Sequence, residues 1–192
     1  MRFGRLPDIR ESCALFGATN LEGRLPAGMR GPLPICGVMG DSQAAFFAQR
    51  CFTPGSVKIT FGTGSSLLMN IGERPLLSPS GVVTAIGWVL DGRPTYAFEG
   101  ITNFTGATIA WLRDQLQLID DVAATEEIAR SVPDNGGVYL VPAFGGLSAP
   151  YWRPDARAAI TGLSPSSTRA HVVRAALESI AFVVGDVLRV ME

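Results

Sequence analysis

An apolar run that ends on a glycine, an acid and a helix-like start sets the first limit on what this chain can become. The segment is Gly37-Val38-Met39-Gly40-Asp41-Ser42-Gln43-Ala44-Ala45. A second segment, Lys58-Ile59-Thr60-Phe61-Gly62-Thr63-Gly64-Ser65-Ser66-Leu67-Leu68-Met69-Asn70, places two apolar runs around a glycine turn. A strand that hands over to a helix and a hairpin that follows it define a mixed α/β chain. A lone carboxylate at a strand end can take a proton. A tight glycine turn with free N–H groups and hydroxyls can hold a phosphate. Both are parts that a phosphoryl-transfer site needs.

Bulk properties narrow the classes further. The 192 residues are 47% hydrophobic and 17% charged, so a large core is available and disorder is not expected. The net charge is −1 and no basic stripe is present, which argues against nucleic acid as a partner. The longest apolar stretches, such as 81–90, are too short to cross a bilayer, so no membrane partner is expected. Met1-Arg2-Phe3-Gly4-Arg5 lacks the apolar core of a signal peptide. Cys13, Cys36 and Cys51 have no metal-type or CxxC spacing and read as reduced, packed thiols of a cytoplasmic protein. His171 is the single histidine, which argues against a histidine metal cluster or a Ser-His-Asp triad within the chain.

The pattern along the chain predicts the elements. Residues 1–34 carry Gly, Pro and Arg with little periodicity, and 25–34 reads as a loop or extended crossing segment. Residues 35–39 read as a buried strand and 41–51 as a helix start. Residues 57–61 and 65–71 read as a hairpin across the glycine turn, and 82–90 with 95–98 as a second hairpin across Asp91-Gly92-Arg93-Pro94. A helix is expected from Thr105 through Asp114, and a shorter one over 125–130 with Thr125 as its cap. Residues 138–141 read as a buried strand and 143–158 as a loop rich in glycine, proline and aromatics. A last helix, capped by Ser166, Ser167 or Thr168, carries Val172, Ala176, Ile180, Val183, Val184, Val187 and Leu188 on an apolar side. It runs to Glu192 without a stop signal, which reads as a truncation.

Three motifs in order resemble the FGGY carbohydrate kinases, in their glycerol-kinase-like branch. They are Gly40-Asp41-Ser42-Gln43-Ala44-Ala45, Phe61-Gly62-Thr63-Gly64 and Pro142-Ala143-Phe144-Gly145-Gly146-Leu147-Ser148-Ala149-Pro150-Tyr151-Trp152. The segment Ala158-Ala159-Ile160-Thr161-Gly162-Leu163, followed by His171-Val172 and Ala175-Ala176-Leu177-Glu178, is similar to the second family signature. The resemblance implies an actin-like, ribonuclease-H-like α/β fold of two domains with a site in the cleft between them. Residues 1–51 then correspond to the tail of the first, substrate domain, and 52–192 to the opening part of the second, ATP-binding domain. It also implies a central piece of a longer kinase. The family's acid–Gly–Thr–Thr phosphate hairpin, its early sugar-binding residues and its glycine-rich adenosine loop are not in this sequence, so the piece alone is expected to be inactive.

The resemblance puts the catalytic base at Asp41, with Asp41 and Ser42 against the substrate. Asp41 would also reach a Mg²⁺ shell through water. Gly62, Thr63, Gly64 and Gly106 would bind ATP, with Ser65 and Ser66 as further turn hydroxyls. Each has a plainer reading: a helix cap for Asp41, an ordinary hairpin turn for Gly62-Thr63-Gly64, close helix packing for Gly106. Three departures bear on ligands. Ser42 stands where glycerol kinases carry a substrate-contacting glutamine, Ser66 where they carry a phenylalanine on the glycerol carbons, and Ala110 where they carry a glutamine near the nucleotide. A longer polyol or a sugar therefore becomes a credible acceptor. Tyr151 and Trp152 read as core or interface aromatics, Asp155 and Arg157 as an ion pair or solvated loop edge, Glu178 as structural, and His171 as a helix-start residue without chemistry.

The expected activity is transfer of the ATP γ-phosphate to a hydroxyl of glycerol, another polyol or a sugar, by an enzyme whose full-length form could be a homo-oligomer. The competing readings are a non-catalytic binding or assembly module, a broken reading frame, and an actin-like ATPase or sugar sensor on the same fold.

Overall fold

A computed structural model describes residues 8–19 and 31–192. The expectations for 1–7 and 20–30, including the absence of a signal peptide and most of the loop before residue 34, lie outside the described residues.

Short strands β1 (Gly17–Thr19) and β2 (Leu33–Ile35) pair antiparallel. Helix α1 (Asp41–Ala48) follows. Strands β3 (Val57–Phe61), β4 (Ser65–Gly72), β5 (Val83–Leu90) and β6 (Arg93–Thr102) form an antiparallel sheet in the order β3-β4-β6-β5. Helix α2 (Gly106–Asp114), a single 3-10 turn (Val122–Ala124) and α3 (Thr125–Arg130) come next. Strands β7 (Tyr139–Val141) and β8 (Ala159–Thr161) pair antiparallel around the 143–158 loop, and α4 (Arg169–Met191) closes the chain.

The period-2 alternation of β3, β4 and β6 gives the four-stranded sheet two apolar faces. Leu67, Met69 and Phe98 point to one face and pack against Val184, Val187 and Met191 of α4. Gly100 lies on that face, where an added Cβ would overlap the Val187 side chain, so helix and sheet approach closely there. Leu68 and Ala97 point to the other face and pack with Trp88, Cys51 and Phe46 of α1. Phe46 is fully buried, with its ring 5.3 Å from that of Trp88. Burying such a side chain stabilises by about 1.5–3 kcal/mol, and the aromatic pair adds about 0.5–1.5 kcal/mol. Those contacts fix α1, and with it Asp41, over the sheet. A third core, including Leu112, Val138, Leu140 and Val173, joins α2, β7 and α4.

Helix α4 begins in a reciprocal cap. The Thr168 N–H donates to His171 Nδ1 at 3.0 Å, and the Thr168 hydroxyl lies 2.8 Å from the same nitrogen. Histidine does here what Glu or Gln does in a common capping box. Arg174 and Glu178 on the next turns pair at 2.9 Å, and Glu178 accepts from Asn135, which ties α4 to the turn before β7.

Several expectations are corrected. Residues 36–40 form no strand, and all but the partly buried Met39 are exposed; pairing stops at Ile35, which lies opposite Gly17, the first residue of β1. Thr125 does not cap α3. Asp121 instead caps the 3-10 turn by accepting the Ala123 N–H, while the Thr125 hydroxyl donates to the Val122 carbonyl. Cys51 is packed, but Cys13 and Cys36 are exposed. Tyr151 and Trp152 are half exposed, which removes the core alternative and leaves the interface one; hydrogen bonds to Asp186 and to the Gly81 carbonyl hold them. Asp155 pairs with Arg153 and not with Arg157, which donates to backbone carbonyls; both are exposed, in agreement with a solvated loop edge.

Candidate active site

The apolar side of α1 faces the sheet core, which turns the first residue of the helix outward. Gly40 is the N-cap, in an extended conformation with no side-chain cap bond, so Asp41 sits one residue inside the helix and is not its cap. Its carboxylate is exposed, and Oδ1 accepts the Ser42 N–H at 2.8 Å. Oδ2 makes no hydrogen bond with the described residues. The helix dipole favours negative charge at this end. An ionised carboxylate with a free oxygen is a competent proton acceptor.

The Gly62-Thr63-Gly64 turn closes the β3–β4 hairpin, with Gly62 N–H donating to the Gly64 carbonyl at 2.9 Å. Two of its carbonyls hold the start of α2. Gly62 O accepts from Gly106 N–H, and Thr63 O accepts from Thr105 and Ala107 N–H, all at 3.0 Å. The leading amides of α2 are therefore already used. The N–H groups of Thr63 and Gly64 make no hydrogen bond with the described residues, and Thr63 is exposed. The donors left for an anion are on the turn rather than on the helix.

Gly106 has a structural reason to be glycine, since a Cβ there would lie 2.5 Å from the Gly62 oxygen. That contact is with the turn and not with another helix. Ser65 is buried, and its hydroxyl lies 2.8 Å from Thr105 Oγ1, which donates to Gly62 O; Ser65 thus belongs to the scaffold behind the turn.

A cleft of about 330 Å³ connects these pieces. Ser42, Thr60, Gly64, Ser66, Glu99 and Asn103 line it, with Ser65, Ile101 and Thr102. It brings Ser42, the neighbour of Asp41, to the same space as Gly64. Asp41, Gly62 and Thr63 do not line it, and Gly106 sits against Gly62 on the turn. Ser66 Oγ is buried without a hydrogen-bond partner. Strand pairing puts Thr60, Ser66 and Ile101 in one row across the sheet, and Lys58, Leu68 and Glu99 in the next. Lys58 is 1% exposed and its Nζ is likewise without a partner. Burial draws its pKa down, while the charges of Asp41, Glu99 and Cys51 push it back up.

Thr60, Lys58, Glu99 and Asn103 were not singled out from the sequence. Alternation along β3 held the signal for two of them, because it puts Lys58 and Thr60 on one face, but only the packing of α1 over that face buries the lysine. Among the described residues no three His, Cys, Asp or Glu side chains gather as a metal site. No helix among them is long and apolar enough to cross a membrane.

Comparison with known proteins defines the class. The model of the C-terminal domain of the FGGY family of carbohydrate kinases matches residues 57–192. The chain belongs to the FGGY family of carbohydrate kinases. It is similar to glycerol kinase 2 of Thermotoga maritima, 54% identical over 97% of this chain and 37% of that protein. It is also similar to the glycerol kinase of Halorhodospira halophila, 50% identical over 97% of this chain and 36% of that protein. The structure superposes on the Plasmodium falciparum glycerol kinase solved with ADP, with TM-score 0.83 and 38% identity over 95% of this chain and 36% of that one. A xylulose kinase from Rhodospirillum rubrum gives TM-score 0.72 at 27% identity, over 93% and 36%. The fold is thus the actin-like α/β fold of the sugar kinases, and the chain spans little more than a third of the length of the relatives it matches.

Proposed function

We propose that this chain carries the acceptor-activating and phosphate-holding segments of a cytoplasmic, ATP-dependent, glycerol-kinase-like enzyme. The acceptor is glycerol, another polyol or a sugar. The observation that carries this reading is the single cleft shared by Ser42, beside the free Asp41 oxygen, and Gly64, beside the two unused turn amides.

In this reading Asp41 accepts the proton of the attacking hydroxyl and holds its oxygen in line, a contribution of about 10²–10⁴ in rate. The Thr63 and Gly64 N–H groups, with the Thr63 hydroxyl, bind phosphate oxygens of ATP. Gly106 braces the turn from behind, so that the amides keep their direction. Preformed donors of this kind need no rearrangement as charge develops. Mg²⁺, when bound, neutralises phosphate charge, and Asp41 would hold it through water; one carboxylate suits an ion that keeps several waters. Ser42, Thr60, Ser66, Glu99 and Asn103 surround the acceptor. Ser66 offers a buried hydroxyl still lacking a partner, which suits an acceptor with an additional hydroxyl.

The test is acceptor-dependent ADP release by the full-length protein across glycerol, longer polyols and ketoses. Release that rises with one of these acceptors supports the reading. Steady ATP hydrolysis that no acceptor changes contradicts it.

A further inference from the structure

Side chains of β6 alternate between the two faces of the sheet. Phe98 packs in the core shared with α4, and a Cβ on Gly100 would overlap Val187 of that helix. Glu99 lies between them and so faces the other way, toward the cleft that it lines. Pairing of β4 with β6 sets Leu68 opposite Glu99 and Ser66 opposite Ile101. Ser66 is thus the diagonal neighbour of Glu99 on that face. Such neighbours stand about 7–8 Å apart, near enough for one small molecule to touch both side chains.

The fold leaves both groups unused. Ser66 Oγ is buried without a partner. Glu99 is half-buried, and its carboxylate makes no ion pair with the described residues. It is the one charged side chain among the described residues that line the cleft. Lys58, in the same row of the sheet, is 1% exposed and does not line it, so a ligand there meets the carboxylate and not the ammonium.

A carboxylate accepts hydrogen bonds and donates none, whereas a serine hydroxyl does both. A ligand that satisfies the two together must bring donors. Two hydroxyls on adjacent carbons do so, because each can donate to Glu99 or exchange a bond with Ser66. An ionised acid group on the acceptor brings no donor and sets like charge against Glu99, at a site where water screens it poorly.

We propose that Glu99 sets the charge class of the acceptor: with Ser66 it holds the hydroxyls remote from the reacting one, and it rejects acceptors that carry an acid group there. This rests on the kinase reading above. The cleft then selects neutral polyols and sugars over the acids of the same chain length.

The test uses the full-length protein and the polyol that it turns over best. kcat/KM is measured for that polyol, for the acid in which one terminal CH2OH is a carboxylate, and for the neutral amide of that acid. The wild type prefers the amide to the acid by at least about a hundredfold, the scale of a like-charge contact. Glu99→Gln keeps the shape and removes the charge. Its turnover of the polyol falls, its KM for ATP and its melting temperature stay at wild-type values, and its preference for the amide over the acid drops at least about tenfold. Glu99→Ser reads the same ratio if glutamine disturbs the fold. A merely structural role would lower all three acceptors alike and leave the ratio unmoved. Equal use of acid and amide by the wild type, or a preference that survives removal of the charge, overturns the proposal and leaves the kinase reading intact. A wild type whose ADP release no polyol or sugar raises removes both.

Discussion

The N–H of Gly106 donates to the carbonyl of Gly62 at 3.0 Å, and a Cβ on Gly106 would stand 2.5 Å from that same oxygen. The first turn of α2 and the hairpin turn are therefore one unit. Alanine at 106 would gain about 1 kcal/mol of helix propensity, but it must move a backbone oxygen that has no rotamer to escape through. Overpacking of this kind costs about 1–3 kcal/mol, so the clash wins. Gly106→Ala should lower the denaturant midpoint and weaken ADP binding together. A variant of unchanged stability and affinity would separate the turn from the nucleotide.

Ser66 carries a hydroxyl that is buried, unpartnered and at the wall of the cleft. If it accepts or donates one hydrogen bond with the acceptor, its loss is worth about 0.5–1.5 kcal/mol, or about two- to tenfold in KM. Ser66→Ala should raise the KM for the preferred acceptor by that factor with little change in kcat or in the KM for ATP. Steady-state kinetics with both substrates varied checks this, and an unchanged acceptor KM would exclude Ser66 from recognition.

The 143–158 loop has its own pH signature. Arg153 donates two hydrogen bonds to Asp155, at 2.8 and 2.9 Å, and holds its carboxyl at about 2, below the ordinary 3.8. The folded value lies below the unfolded one, so the contribution of the pair is complete above 3.8 and is lost as pH falls through about 2. The pair is on the surface and is screened by salt. Carboxyl-detected NMR titration should show an Asp155 midpoint near 2 that returns toward 3.8 in Arg153→Gln. A wild-type midpoint already at 3.8 would show the pair to be open in solution.

The glycines and the helical spacing carried most of this fold in legible form. Gly62, Gly64 and Gly106 mark the turn and the helix start that the structure binds together, and the apolar stripe of α4 sits on the sheet as its period requires. The run 35–39 misleads because alternation reports apolarity and not the presence of a partner. Val38 is half exposed, since no strand continues beside it among the described residues. Lys58 misleads in the opposite sense. A lysine in a strand reads as solvent-facing, and only the long-range packing of Phe46 on Trp88 brings α1 over it. Thr125 and Asp121 are both good capping types, and the choice between them depends on a 3-10 turn that local pattern does not specify. For the cleft, Asp41, Ser42 and the turn were readable as motifs. Glu99 and Asn103 were not, because their place depends on the pairing of β6 with β4.

The central claim is that the free oxygen of Asp41 takes the acceptor's proton, and Asp41→Asn in the full-length protein tests it most directly. Asparagine keeps the acceptor for the Ser42 N–H and so preserves the start of α1. The variant should bind ADP as the wild type does, keep its melting temperature, and turn over at least about a hundredfold more slowly, the lower end of a general base's contribution. Turnover near the wild-type rate, with the fold and nucleotide affinity intact, would contradict the account.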